Sequence, residues 1–185
     1  MRILLVADHP GDARVVENAL VSEGHTVTTC NDRHGGPCRG IADLDECPLE
    51  SAVDVAVIAR SVNDRRGIGE MGAVCAARHR VGVVEIDPAE PGSRSIYDLT
   101  DEADQQIFQE YVNAVTEMLQ PVLGDDPFEV SVTRRERDVQ VWVKLGFSCS
   151  PIVVSSVADR ARAGVRHYDR FAQVIDVSVV QPASC

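Results

Sequence analysis

Three of the six cysteines of this 185-residue chain fall within one stretch, Thr29–Glu50 (TCNDRHGGPCRGIADLDECPLE). Cys30, Cys38 and Cys47 are spaced C-x7-C-x8-C, and His34 lies between the first two. Thiolates and a neutral imidazole bind zinc, and thiolates alone can hold an iron–sulfur cluster. Cys75, further along, could supply a fourth ligand. The spacing is not that of the paired CxxC motifs of zinc ribbons, so three readings stay open. One is a zinc or iron–sulfur site built from Cys30, Cys38 and Cys47, with Cys75 and His34 as further ligands. Another is a disulfide, for instance Cys38 with Cys30 or Cys47, which a reducing compartment disfavours. The third is a set of separate reduced thiols, with Cys75 packed in the core.

Elsewhere the chemical inventory is thin. Cys149 stands just ahead of a helix start, where a thiol can bind metal or react because the helix N-terminus favours its thiolate. The plain alternative is a small side chain at a strand end, and Cys185 is the last residue. His9, His34, His79 and His167 are scattered. No Ser-His-Asp order, Walker loop, GxGxxG or HExxH occurs, so no catalytic constellation is expected.

Charge narrows the partners. The formal net charge is −11, and Lys144 is the only lysine among 18 basic residues. Genome composition and adaptation to salt account for such a surface, which favours solubility rather than a particular fold. Between Asp98 and Asp126 there are eight acids and no bases. The mild excess of arginine after Phe128 is too small for a nucleic-acid-binding face. No apolar run approaches the ~18–20 residues of a membrane span. The start, Met1–Ala7, runs directly into Asp8 without the pattern of a signal peptide, so a cytoplasmic location is expected.

Stretches of alternating type must carry these residues. Ile3–Ala7, Val53–Ala59 (VDVAVIA) and Val81–Ile86 (VGVVEI) read as strands covered on both faces, with His25–Cys30 as a shorter one. A helix bearing Val15, Val16, Ala19 and Leu20 ends at Gly24. A second, from about Gly69 to Arg80, would turn Met71, Val74, Cys75 and Arg78 to one side. Strands separated by helices predict an α/β domain with a parallel sheet over residues 1–88. Between His25–Cys30 and Val53–Ala59, the glycines and prolines of the cysteine stretch break any helical period. Loops of that length are uncommon unless they are stapled or functional.

Residues 89–100, rich in Pro, Gly and Ser, read as a linker. Residues 101–185 then predict a small α+β module. A helix over Asp101–Gln120, with Ile107, Tyr111, Val115 and Leu119 or Met118 inward, would be stopped by Pro121. Two alternating strands around Val130 and Val141 would turn over Arg134–Arg137. A helix capped by Ser150 and opened by Pro151 follows, and Ile175–Val179 forms a last strand. The order is α-β-β-α-β.

The stretch Arg2–Pro10 (RILLVADHP), with the helix, strands and Asp87 that follow, resembles the receiver domain of response regulators. The resemblance implies a flavodoxin-like parallel sheet in the first half. It also locates what is missing. Receivers carry paired acids after the first strand, and here that position reads Ala7-Asp8. Their phosphoacceptor aspartate falls on Ala59, their Thr/Ser near Glu85, and their lysine has no counterpart. Aspartyl phosphorylation needs a carboxylate nucleophile and a metal held by several oxygens, so the resemblance implies a pseudo-receiver. Ligands of open α/β sheets bind beyond the carboxyl ends of the strands. Asp8, His9 and Arg60, with Glu85 and Asp87, are therefore candidate rim residues, including for a nucleotide-type ligand.

Val139–Phe147, Pro151-Ile152 and Val174–Val180 look like the alkaline-shock protein family, which implies a non-enzymatic interaction module. The same order resembles the domain of iron–sulfur assembly factors, whose Cys-Pro falls here on Cys149-Ser150-Pro151 with the cysteine one residue displaced. The expectation is a non-catalytic regulatory or scaffolding protein acting on a protein partner or on itself as a homodimer. The rival is a metal-linked or redox-sensing protein using the cysteine loop.

Overall fold

A computed structural model describes residues 1–31, 38–43, 46–61, 64–65 and 67–182. They divide into two compact units, Met1–Asp104 and Gln105–Cys185.

The first unit is built on four parallel strands, β1 (Arg2–Ala7), β2 (Thr26–Thr29), β3 (Val55–Ala59) and β4 (Gly82–Ile86), in the order β2-β1-β3-β4. Side chains alternate across a strand, and both faces of this sheet are covered. Ile3, Leu5, Ala7, Val55, Val57 and Ala59 face α1 (Pro10–Ser22) through Ala13, Val16 and Leu20. Ile96, at the start of α4 (Ile96–Leu123), joins that layer. Leu4, Val6 and Ala56 face the other way, toward Leu49 and toward Ala76 of α3 (Met71–Arg78). This double cover explains why β1 and β3 read as unbroken apolar runs. Each of their Ile, Leu and Val side chains contributes about 1.5–3 kcal/mol of burial.

Three local expectations are corrected here. In α3 the buried residues are Gly72 and Ala76, while Met71 and Val74 are 57% and 44% exposed. The helix docks on its small residues because it lies close to the sheet. In α1 the inward stripe is Ala13, Val16 and Leu20, and Val15 is 46% exposed. In the cysteine stretch, where no helical period was expected, the described residues include a short helix α2 (Arg39–Ala42) and a 3-10 turn at Pro48–Glu50.

Two boundaries also move. Helix α4 begins at Ile96, inside the expected linker, and Pro121 lies within it rather than ending it. A helix breaks at proline when it loses a needed hydrogen bond and clashes with the preceding turn. Only a few residues remain beyond Pro121 before Gly124 ends the helix in the left-handed region, φ 58°.

The second unit packs the rest of α4 and α5 (Pro151–Tyr168) on one three-stranded sheet. Strand β5 (Phe128–Arg135) is antiparallel to β6 (Asp138–Leu145), and β7 (Val174–Val180) is parallel to β6. The hairpin is tighter than the expected Arg134–Arg137 turn, because Glu136 adopts φ 56°. The parallel β6–β7 pairing requires a crossover, and α5 supplies it. Tyr111, Val115 and Leu119 meet Val139, Val141, Val143, Val157, Ala161 and Val165 in one core. Ser150 caps α5 as expected, its Oγ accepting from the Val153 amide at 3.4 Å.

Candidate functional site

Two places in the first unit gather residues that can do chemistry. The first is the strand-end rim. Ala59, at the end of β3, is only 2% exposed. Its successor Arg60 reaches back over the strand ends, with Nη1 donating to Glu70 Oε2 at 2.9 Å and Nη2 donating to Glu85 Oε1. Glu70 is itself buried, 6% exposed. The Arg60 guanidinium is held further into its charged form by the hydrogen bond to Glu85, outweighing partial burial.

Asp8, after β1, is exposed. Its Oδ1 accepts from the Gly69 amide at 2.9 Å. The glycines there are needed for close approach. A Cβ on Gly67 would stand 2.0 Å from Asp8 Oδ2, and one on Gly69 would stand 2.6 Å from the Ala7 carbonyl oxygen. Asp87 turns inward on its own loop, accepting from the Ala89 amide at 2.9 Å. His9 is exposed at the N-cap position of α1 and makes no side-chain cap. The expected rim residues therefore separate into local contacts. Asp8 is engaged by the Gly67–Gly69 segment, and Arg60 is held between two carboxylates.

The second place is the cysteine loop. The tertiary fold brings together thiols that are far apart in the chain. Cys30 follows β2, Cys38 caps α2, Cys47 precedes the Pro48–Glu50 turn, and Cys75 lies on α3. Cys30, Cys47 and Cys75 pack against the same apolar layer of Leu4, Val6, Leu49, Ala56 and Ala76. Cys38 is within electrostatic reach of both Cys30 and Cys75. Burial pushes the Cys30 thiol up to about 12, and the neighbouring Cys38, Cys47 and Cys75 add to the rise. Cys75 is raised for the same reasons, burial first and then Cys38 and Cys47. Arg39 acts on Cys30 in the opposite sense, as Arg78 does on Cys75.

Cys30, Cys38, Cys47, Cys75 and Cys149 are free thiols in this structure. Among the described residues, no three His, Cys, Asp or Glu side chains stand in position to hold a metal ion. His34 and Cys185 lie outside the described residues. Cys149 belongs to the second unit, where its amide donates to Gln181 Oε1 at 2.9 Å.

Sequence reasoning missed two participants. Arg39 is anchored by Nη2 donating to the Thr29 carbonyl at 2.6 Å, yet its buried Nε has no hydrogen-bond partner. Its place next to Cys38 in the chain was the available signal. Glu70 was the other, a lone acid within an apolar helix start. In the second unit, Trp142 is half-buried in a shallow groove with Glu129, Ser131, Lys144 and Val180. Among the described residues, no helix is long and apolar enough to cross a membrane.

No protein-family model matches the chain, and no curated protein matches it. Among solved structures, a Streptomyces aurantiacus imine reductase aligns at a TM-score of 0.29 with 12% identity, over 97% of this chain and 56% of that one.

Proposed function

We propose that the chain is a non-catalytic regulatory or scaffolding protein, pairing a pseudo-receiver with a small α+β interaction module. One observation carries the reading: the strand end that would present a phosphoacceptor carries Ala59 instead. The site above it is filled from within, because Arg60 spans Glu70 and Glu85. The strand order β2-β1-β3-β4 supports the receiver-like part of the reading. The α-β-β-α-β order of the second unit supports its likeness to alkaline-shock modules. Such a pair acts through surfaces on a protein partner or a second copy of itself.

The test is exposure of the intact chain to a small-molecule phosphodonor with Mg²⁺, followed by intact-mass measurement. The expected result is an unchanged mass. An acyl phosphate on Asp8, the single acid left at the rim's first position, would overturn the reading.

A further inference from the structure

We propose that β7 is a self-association edge, on which a second copy of this chain adds its own β7 antiparallel about a two-fold axis. The pairing joins two three-stranded sheets into one. It supplies the second-copy partner named above and rests on that reading. Phosphodonor labelling and self-association are measured separately, so either can fail without the other.

Strand β7 stands at the end of the order β5-β6-β7, and among the described residues no strand pairs with its outer edge. Residues 181 and 182 are held instead to the segment after β6. Gln181 Oε1 accepts from the Cys149 amide at 2.9 Å, and the Pro182 carbonyl accepts from Ser148 Oγ at 3.1 Å. An open strand edge is a template for pairing with another chain, and charged side chains blunt it. The opposite edge strand, β5, carries Glu129, Arg134 and Arg135, whereas β7 (VIDVSVV) has Asp176 as its one charge. Burial along β7 is also incomplete. Ile175, Val177 and Val179 pack on the core yet stay half-buried. On the other face Val174 and Val180 are 55% and 53% exposed.

The order of residues in β7 points to a second copy as the occupant. A two-fold axis normal to the sheet keeps each side chain on its own face, so opposed residues differ by an even number. With the axis at Val177, Val174 lies across from Val180, Ile175 from Val179, and Asp176 from Ser178. Apolar meets apolar, and each carboxylate meets a hydroxyl donor. An axis at Asp176 would set that carboxylate against its own copy, where like charges directly opposed are destabilising. An axis at Ser178 would set Asp176 against Val180 and Val174 against Pro182. The Val177 register is therefore the self-complementary one. A net charge of −11 per chain opposes association at long range, so added salt should strengthen the pairing.

The experiment is analytical ultracentrifugation of the full chain, up to about 1 mM protein, in potassium chloride from about 0.15 M upward. A reversible monomer–dimer equilibrium that tightens with salt is expected. Ser178 is exposed, so its substitution tests the register without disturbing the core. Ser178→Asp opposes two pairs of like charges and should weaken the dimer about tenfold. Ser178→Lys places an ammonium across from each Asp176 and should tighten it at the lowest salt. Ser131→Asp adds the same charge to the exposed face of β5 and should leave the dimer constant unchanged. A chain that stays monomeric throughout, as wild type and as Ser178→Lys, would overturn the proposal. So would a dimer indifferent to both Ser178 variants, or one weakened equally by Ser131→Asp and Ser178→Asp.

Discussion

Tyr111 is buried in the second unit, and its hydroxyl donates to Asp169 Oδ2 at 2.5 Å. Asp169 is likewise buried, and its other oxygen accepts from the Phe171 amide at 2.9 Å. The phenol's ionisation is pushed well above its ordinary value, by burial first and then by that hydrogen bond. A group with a raised folded-state pKa contributes stability that is complete below its unfolded value. For Tyr111 that contribution declines as pH rises above the ordinary tyrosine value of about 10. Tyr111→Phe should therefore cost about 1–3 kcal/mol at neutral pH, because Asp169 loses a donor. It should also flatten the alkaline fall in stability, and urea unfolding at neutral and at alkaline pH reads both effects. Tyr111 was legible from its helical period as a core residue. Its partner was not, since Asp169 lies 58 positions away and no local pattern links the two.

Helix α5 shows how propensity and packing compete within one element. Gly164 is buried against α4, where a Cβ would stand 3.0 Å from the Ala114 carbonyl oxygen and 3.0 Å from Val115 Cα. Replacing an interior helical glycine by alanine gains about 1 kcal/mol of intrinsic propensity. Forcing two backbones apart in a packed core costs about 1–3 kcal/mol, and neither atom met here is the end of a flexible side chain. Gly164→Ala should therefore be destabilising, by up to about 2 kcal/mol in chemical unfolding. A stabilised variant would mean that the helices can separate freely. The sequence placed α5 well because cap, proline and apolar period agree. It misread α3, where small residues rather than large ones face the sheet, and a hydrophobic stripe does not report how near the neighbouring layer lies.

For the whole molecule, a net charge of −11 spread over 185 residues means self-repulsion that favours expansion at low ionic strength. The melting temperature should rise between low and high potassium chloride as screening shortens the range of that repulsion, and a thermal scan across salt concentrations checks it. A melting temperature indifferent to salt would show the acids already neutralised by local pairs. Alternation of apolar runs with helical periods was enough, without any contact information, to predict an α/β chain with a second α+β part. That follows because burial on two faces, on one face or on a helical stripe writes a distinct period into the residues. The sequence also showed that the third strand ends on an alanine, Ala59, since that needs only one residue identity at one strand end. What the tertiary structure alone decided was assembly. It engaged Asp8 through Gly69, closed Arg60 between Glu70 and Glu85, ran α4 through Pro121, and drew Cys75 to the thiols of a distant loop. Each of these depends on which surfaces meet, and meeting is a property of packed layers that no spacing along a chain contains.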